Sequence, residues 1–369
     1  MRFVVSVKQA LAALQPVARV VERKNTIPIL AHAMIETADN RVDFTATDLD
    51  LHATAATSAS DTQPGRTTVA AHLLLDIVRK LLADKDLAFE VADNRATLRS
   101  GRAQFLLNTL PPEDFPELTA PAFTSDFSLG AADLAGALAQ TKFAISSEET
   151  RYYLNGVFLH IDPDRKLAFV ATDGHRLARV RMDAPAGAEG APAIIIPAKA
   201  VAEFASRAGG AGAKDPCAIA LSRANARVKI GAHALTTKLI DGTYPDYRRI
   251  WPTQFTTQAT LDREALIKAA ELVTTVSGDK ARSQKFDFAD GLLKISAQNA
   301  DAGEAMTEME AETSGPEIRI GFNGRYMIEL LAAFKGDRVT VAMSDPGSPA
   351  LFTDPDNTSF DAVLMPLRV

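Results

Sequence analysis

A strand and helix segment occurs three times along the chain, and this internal repeat constrains the fold most strongly. Residues 3–14 align without gaps on residues 127–138 at an offset of 124, and these align on residues 259–270 at an offset of 132. Each copy reads as a short apolar strand, a capping position and a helix with apolar residues at i and i+4. Self-similarity over such a long period predicts a chain built from repeated domains.

A second helix recurs in the same order. Residues 69–78, 196–205 and 321–331 align at offsets of 127 and then 126, and each copy contains one carboxylate, Asp76, Glu203 or Glu329. The proline-bearing stretches 110–116 and 239–245 also match each other and read as linkers. These matches predict three domains, formed by residues 1–120, 121–250 and 251–369.

Short alternating runs of apolar residues lie between the helices. Residues 157–161 and 226–230 are examples, and turn residues separate such runs from their neighbours. The connections are too short to hold crossover helices, so the strands are expected to pair antiparallel. The sequence therefore predicts an α+β fold in each domain.

Composition excludes several classes of protein. The 369 residues contain no apolar run of 18 and no signal peptide, so we expect a cytosolic protein without a membrane segment. Cys217 is the single cysteine, and the six histidines show no metal-ligand spacing, so neither a disulfide nor a metal or other cofactor is expected. The formal net charge of -6 argues against a protein that binds nucleic acid over its whole surface, but it is compatible with a local basic face.

The polar turn Ala171-Thr172-Asp173-Gly174-His175-Arg176-Leu177 follows an apolar run and is echoed 125 residues earlier by Ala46-Thr47-Asp48. One interpretation is an enzyme in which Asp173, His175 and Arg176 act as acid, base and anion clamp. The other is a tight turn in which Asp173 caps backbone amides and Gly174 supplies a positive φ. The echo lacks the His-Arg pair, and the chain contains no phosphate-binding loop, so nucleotide hydrolysis is not expected.

Three further segments point to binding. Tyr152 and Tyr153 follow an arginine, which suits stacking on nucleic acid if the rings are exposed and a core role if they are buried. Residues 244–252 combine aromatics, arginines and prolines, as protein-binding surfaces do. The apolar chain end, residues 363–369, is expected to be a final strand that lines a groove. A protein-binding scaffold without DNA is therefore an alternative to the enzyme.

Taken together, these segments resemble the bacterial β sliding clamps, the processivity subunit of DNA polymerase III. The resemblance runs from Met1 to Val369 and is carried by residues 26–30, 151–156, 171–178, 245–249 and 365–368. It implies a non-catalytic subunit with three similar domains, joined head to tail with a second copy into a closed ring of six domains. It also implies that helices line the hole, which duplex DNA threads without sequence preference. A closed ring needs few strong phosphate contacts, which agrees with the negative net charge.

The resemblance further implies a hydrophobic cleft that takes a short peptide from partner proteins. These partners are the replicative polymerase catalytic subunit, the clamp loader, and other polymerases and DNA repair proteins that carry clamp-binding peptides. The matching cleft positions are Arg151, Leu154, Thr172, Gly174, His175, Arg176, Leu177, Pro245, Arg249, Ile250, Val363, Leu364, Met365, Pro366, Leu367, Arg368 and Val369. Positions 250, 364, 367 and 369 differ from the usual family residue but stay apolar, so the cleft is expected to persist.

Two other surfaces follow from the resemblance. The DNA-facing positions are Lys24, Tyr152, Tyr153 and Lys199, while Glu148 stands where the family has a neutral polar residue. The subunit interface places Phe105 and Leu107 of one chain against Thr275 and Val276 of the other. The implied location is the cytoplasm, with association to the nucleoid during replication.

Overall fold

The computed structural model describes residues 1–92, 94–117, 121–277 and 283–368. The chain divides into two compact units. The first unit contains Met1–Leu134 and Ser206–Leu239, and the second contains Ala135–Ala205 and Ile240–Val369. The second unit therefore includes the 171–177 turn, the 244–252 linker and the chain end.

The first third of the chain contains nine strands and two helices in its described residues. They are β1 Arg2–Ser6, α1 Val7–Ala18, β2 His32–Ala38, β3 Arg41–Thr47, β4 Leu51–Ser58, β5 Ser60–Gln63, β6 Gly65–Ala70, α2 Ala71–Lys80, β7 Asp86–Ala92, β8 Arg95–Ser100 and β9 Ala103–Leu110.

The middle third contains eight strands and two helices. They are β10 Ser125–Gly130, α3 Ala131–Thr141, β11 Gly156–Ile161, β12 Lys166–Thr172, β13 Arg176–Asp183, β14 Ile194–Pro197, α4 Ala198–Gly209, β15 Pro216–Leu221, β16 Asn225–Ile230 and β17 His233–Lys238.

The last third contains nine strands and two helices in its described residues. They are β18 Thr257–Asp262, α5 Arg263–Ser277, β19 Ser283–Ala289, β20 Leu292–Asn299, β21 Gly303–Glu310, β22 Glu312–Ser314, β23 Ile318–Asn323, α6 Gly324–Leu331, β24 Arg338–Met343, β25 Ala350–Asp354 and β26 Asn357–Leu364. Short 3-10 helices cover Glu149–Leu154 and Tyr247–Ile250, among other segments.

The helices begin at the positions that the repeat predicts. The first helix of each third starts at residue 7, 131 or 263, and the second at residue 71, 198 or 324, which reproduces the offsets of 124, 132, 127 and 126. Local capping explains two of these starts. The Ser6 side chain accepts a hydrogen bond from the amide of Gln9 at 3.2 Å, and the Asp262 carboxylate accepts from the amide of Ala265 at 2.7 Å. The predicted caps therefore act as caps in the first and third copies.

Every paired strand in the described residues is antiparallel, as the short connections predicted. The first unit contains a sheet of 13 strands in the order β10-β15-β16-β17-β4-β3-β2-β6-β9-β8-β7-β1-β5. The second unit contains a sheet of nine strands, β14-β11-β12-β13-β26-β25-β24-β18-β22, and one of four strands, β21-β20-β19-β23. Pairing of β13 with β26 joins two strands that lie far apart in sequence, and it brings the chain end beside the 171–177 turn.

Each unit has an apolar core beneath its sheets. Phe3 and Phe89 stack with ring centroids 4.9 Å apart in the first unit, and Phe286 and Phe322 meet edge to face at 5.5 Å in the second. All four rings are almost fully buried. None of the helices in the described ranges is long and apolar enough to cross a bilayer.

Candidate functional site

The 172–176 turn is held by its own side chains. Thr172 Oγ1 donates to the carbonyl of Arg176 at 2.7 Å and accepts from the amide of Gly174 at 3.1 Å. Asp173 Oδ1 accepts from the amides of His175 and Arg176 at 2.9 and 3.0 Å. Asp173 therefore caps backbone amides, as the second interpretation of the turn predicted.

The echo of this turn, residues 47–51, forms the same hydrogen bonds in the first unit. Thr47 Oγ1 donates to the carbonyl of Leu51 at 2.8 Å and accepts from the amide of Leu49 at 3.0 Å. Asp48 Oδ1 accepts from the amides of Asp50 and Leu51 at 3.0 and 2.6 Å. The turn is thus a repeated structural element, and the Thr and Asp side chains hold it by the same hydrogen bonds in both places.

Arg176 is a buried structural cation. Its Nε donates to Asp173 Oδ2 at 3.0 Å, and its Nη1 donates to Glu329 Oε2 of α6 at 2.6 Å. The guanidinium also lies over the Tyr326 ring, 4.3 Å from the centroid. Only 9% of the side chain is exposed. These contacts account for Asp173 and Arg176 as a structural ion pair, without a catalytic role.

His175 joins the turn to the chain end. Its carbonyl accepts a hydrogen bond from the amide of Met365 at 2.8 Å, and its exposed ring lies 6.1 Å from that of Tyr326. The Leu367 amide in turn donates to the carbonyl of Gly321 at 2.8 Å.

The last strand ends at Leu364, two residues before Pro366, so the expectation that all of 363–369 forms a strand is wrong. Proline lacks the amide that a continued ladder requires.

An apolar floor connects the predicted cleft segments. Leu154, Leu177 and Val363 belong to one buried cluster, together with Tyr244 and Tyr247 of the linker. These five side chains are at most 8% exposed. Segments that are widely separated in sequence therefore share one continuous apolar core, as a cleft with an apolar base requires.

The chain segments that contribute to this floor also carry exposed side chains. Ile250 and Leu367 are 46% and 36% exposed, and both are large and apolar. Pro245, Arg249 and Arg368 are exposed, Met365 and Pro366 are half-buried, and Thr172 and Leu364 are buried. Exposed apolar side chains above an apolar core are typical of protein-binding surfaces. Val369, the last predicted cleft residue, lies outside the described residues.

Arg151 is held by its neighbour Glu148. Its Nε and Nη2 donate to the two carboxylate oxygens of Glu148 at 2.8 and 2.6 Å. The hydrogen bond from Arg151 lowers the pKa of the Glu148 carboxyl below its usual value. Glu148 therefore neutralises the charge of Arg151, a residue of the predicted cleft, and fixes its orientation.

The predicted DNA-facing residues differ in exposure. Tyr152 is 52% exposed, whereas Tyr153 is half-buried and packs against the apolar floor cluster. The two rings meet edge to face with centroids 5.8 Å apart. Lys24 lies in an exposed loop of the first unit, and Lys199 lies at the exposed start of α4 in the second. Tyr152 thus remains available for stacking, while Tyr153 serves the core.

The predicted interface residues lie on β9 and at the end of α5. Phe105 is half-buried, and Leu107 is only 8% exposed within its own unit. Thr275 is exposed and Val276 is half-buried, in the last turn before the undescribed residues 278–282. Of the two predicted interface residues on β9, Phe105 is therefore the more accessible.

Sequence reasoning missed several residues of the site. Tyr326 and Phe143 flank the Arg176 guanidinium, and Glu329 binds it. The only sequence signal was the recurring carboxylate on the second helix, to which Glu329 belongs. In the described ranges, no group of three or more His, Cys, Asp or Glu side chains is arranged to hold a metal ion.

The chain matches known family models and solved structures over its whole length. The models of the DNA polymerase III beta subunit match at residues 1–119 (N-terminal domain), 128–246 (central domain) and 248–368 (C-terminal domain). The beta sliding clamp of Caulobacter vibrioides is 40% identical over 364 residues, which cover 97% of each chain. That of Pseudomonas aeruginosa is 33% identical over 374 residues, which cover 100% of each.

The structural neighbours agree with the relatives. A DnaN sliding clamp (DNA polymerase III subunit beta) from Bartonella birtlesii, bound to griselimycin, has a TM-score of 0.96 at 40% identity with both chains fully covered. The Pseudomonas aeruginosa clamp bound to griselimycin has a TM-score of 0.96 at 33% identity, again with full coverage. Three clamp domains, the antiparallel α+β fold and a non-catalytic role are thereby confirmed. The chain belongs to the DNA polymerase III beta subunit family, the beta sliding clamps.

Proposed function

We propose that two copies of this chain form a closed ring around duplex DNA and tether DNA polymerase III, other polymerases and repair proteins to it. The ring slides, and its partners dock short peptides in the cleft above Leu154, Leu177 and Val363. The observation that carries this proposal is the packing of these three residues into one apolar floor within a chain of the clamp family. Partners include the clamp loader, and the location is the cytoplasm, with the nucleoid during replication.

The proposed domains span residues 1–120, 121–250 and 251–369. The helix starts repeat across these boundaries, and the family models match residues 1–119, 128–246 and 248–368. The linker residues Tyr244 and Tyr247 are buried in the floor cluster. The second boundary therefore lies beside the cleft, and the linker forms part of the site.

The proposed homodimer pairs β9 of one copy with β21 of the other. In the described chain, residues 103–108 of β9 pair only with β8, and β21 pairs only with β20, so both strands have a free edge. Leu106 and Met306 are 55% and 58% exposed on these strands. Unpaired edges with exposed apolar side chains are prone to pair with another strand, and a closed ring covers them.

Charge complementarity supports the same pairing. Exposed Glu304, Glu308 and Glu310 line β21, whereas exposed Arg99 and Arg102 lie on β8 and in its turn to β9. An acidic edge of one copy therefore meets a basic face of the other. Such complementarity favours the head-to-tail arrangement over pairing of two like edges, in which equal charges would repel.

Topology explains how an acidic chain holds DNA. When a protein binds DNA by neutralising Z phosphates, the logarithm of its binding constant falls with the logarithm of the salt concentration with a slope of about -0.9Z. The affinity of such a protein therefore falls steeply between about 50 and 200 mM salt. A closed ring is retained by its shape, and the net charge of -6 does not oppose retention. Lys24, Tyr152 and Lys199 provide the weak DNA contacts that sliding permits.

The decisive experiment loads the protein onto nicked circular DNA with a clamp loader and passes it through gel filtration at high salt. We expect retention on the circle, and release once a restriction enzyme linearises it, because the ring then slides off an end. Protein mixed with the circle without loader is the control. If retention of the protein decreased with salt on circular DNA as it does on linear DNA, the binding would be electrostatic. That result would refute the closed ring.

A scaffold that binds proteins but not DNA is the second candidate. It would bind polymerase peptides in the same cleft and yet fail to be loaded onto primed DNA. The free edges of β9 and β21 favour the ring, since a monomeric scaffold gains nothing from two complementary edges.

A further inference from the structure

Arg179 makes a buried ion pair across two strands. It lies on β13 directly opposite Asp361 of β26. Its Nε donates to Asp361 Oδ1 at 2.9 Å and its Nη2 to Oδ2 at 2.6 Å, and each side chain is only 12% exposed. This two-pronged contact fixes the orientation of the guanidinium plane as well as its position.

The same guanidinium also holds the linker. Its Cζ lies 3.7 Å from the centroid of the Trp251 ring, a close cation-π stack. The guanidinium charge also acts on the nearby Tyr247 side chain. Trp251 and Tyr247 flank Ile250 and Arg249, two exposed residues of the proposed cleft. One arginine therefore contacts both the linker and the strand that leads to the chain end.

A half-buried histidine extends this arrangement. His160 Nδ1 lies 3.1 Å from the carbonyl of Ile161, and Nε2 lies 3.2 Å from the Tyr247 hydroxyl. If Nδ1 carries the proton, it donates to the carbonyl of Ile161, and Nε2 accepts from the Tyr247 hydroxyl. Burial lowers the pKa of His160, which favours this neutral form. Both ring nitrogens of His160 and the Tyr247 hydroxyl then have a hydrogen-bond partner.

We name residues 245–250 the linker wall and residues 363–368 the C-terminal wall of the cleft. We propose that Arg179 is a positioning residue that holds the linker wall and the C-terminal wall at a fixed separation. The inference rests on the proposed peptide-binding function and adds a residue that touches no peptide. Asp361 lies two residues before the C-terminal wall, and Tyr247 and Trp251 bracket the exposed end of the linker wall.

Arginine is the residue type that this position requires. Its planar guanidinium forms a fork to the carboxylate while one face stacks on an aromatic ring. Lysine carries the same charge but neither the fork nor the flat face. The substitution Arg179→Lys should therefore keep the ion pair with Asp361 but lose the stacking contact with Trp251 and the interaction with Tyr247.

The experiment compares R179K with R181K. Arg181 lies two residues further along β13 and pairs with Asp164 at 3.5 Å and with Asp162 at 3.9 Å instead of stacking on the linker, so it is a matched control. Trp251 is the single tryptophan of the chain, so the emission maximum reports on linker docking. The ligands are a labelled peptide from the replicative polymerase catalytic subunit and griselimycin, which two relatives bind.

For R179K we expect a red-shifted Trp251 emission, a thermal transition close to that of wild type and about tenfold weaker peptide binding. For R181K we expect wild-type emission and affinity. The double variant R179M/D361L removes the pair without leaving a buried charge, so it should keep its strand pairing and still bind weakly. If R179K does not fold, this double variant replaces it in the binding measurement.

Unchanged peptide affinity in R179K or in the double variant would overturn the inference, whatever the emission shows. Shifted emission with normal affinity would mean that linker docking does not govern the cleft. Wild-type protein that binds neither ligand would instead refute the proposed function itself, before any variant is compared.

Discussion

The Arg151 side chain lies directly over Gly174: a Cβ built on Gly174 would come within 2.7 Å of Arg151 Nη1. The φ of Gly174 is +89°, and Leu49 holds a φ of +79° at the same place in the echoed turn. Because the echo accommodates a leucine, the hydrogen bonds of the turn can hold a side chain at positive φ. A Cβ at position 174 would therefore also have to displace the guanidinium end of Arg151.

Gly174→Ala should therefore weaken peptide binding more than it weakens the fold. The new methyl group must displace Arg151, while the strain of a positive φ costs about 1–2 kcal/mol of stability. Peptide titration and urea unfolding measure the two effects separately. Wild-type affinity in a correctly folded variant would exclude Arg151 and Gly174 from the cleft.

Leu49→Gly is the converse change in the first unit. It removes the left-handed strain of leucine but makes the unfolded chain more flexible, so the free energy of unfolding should rise by about 1 kcal/mol at most. Peptide affinity should stay at the wild-type value. A loss of more than about 1 kcal/mol in urea unfolding would show that the half-exposed Leu49 side chain makes stabilising contacts.

Removal of Met365–Val369 should abolish peptide binding and leave the dimer intact. The truncation deletes the bonds from the Met365 amide to His175 and from the Leu367 amide to Gly321, both 2.8 Å long, and with them residues 365–368 of the C-terminal wall. Strand β26 ends before the cut, so the sheet remains. Peptide titration and sedimentation check the two parts, and unchanged affinity would remove the terminus from the site.

Phe105→Ala should weaken the dimer. Truncation of a buried interface aromatic commonly costs about 2 kcal/mol or more, which corresponds to roughly 30-fold weaker association. Leu82→Ala is the control, since Leu82 is 67% exposed in the same unit and lies outside the proposed interface. Sedimentation at decreasing concentration should reveal monomer for F105A alone. Identical profiles for both variants would contradict the proposed interface.

Acid should loosen the linker through His160. Burial lowers the pKa of His160 below 6.5, and the nearby Arg248 and Arg179 lower it further, whereas Asp162 and the bond to Ile161 raise it. Between the folded and unfolded pKa values the unfolded chain binds more protons. The free energy of unfolding should therefore be constant above about pH 6.5 and decrease as pH falls through the folded pKa, by at most about 1.4 kcal/mol per pH unit.

His160→Gln tests this dependence because glutamine keeps an acceptor for Tyr247 and does not titrate. Urea unfolding between pH 7 and 5, followed by Trp251 emission, should show a smaller pH slope for the variant. His52→Gln is the control: burial also lowers the pKa of His52, but it lies in the first unit. Equal slopes for wild type and H160Q would exclude His160 as the titrating group.

Local chemistry made part of this structure predictable from sequence. The helix starts at residues 7 and 263 follow from Ser6 and Asp262, whose side chains cap amides three residues away. The turn at 172–176 follows in the same way, because the side chains of Thr172 and Asp173 bond to backbone amides and a carbonyl within the next four residues. Such contacts depend on neighbours along the chain, so the sequence by itself determines them.

Only the tertiary structure decided which distant charges meet. Arg179 and Asp361 are separated by 182 residues, and Arg176 and Glu329 by 153. The chain contains 40 lysines and arginines and 46 acidic residues, so composition permits far more pairs than form. The register of β13 against β26 sets the Arg179 pair, and the packing of α6 beside the turn sets the Arg176 pair. Pairing of strands so far apart depends on the complete sheet, which no local pattern encodes.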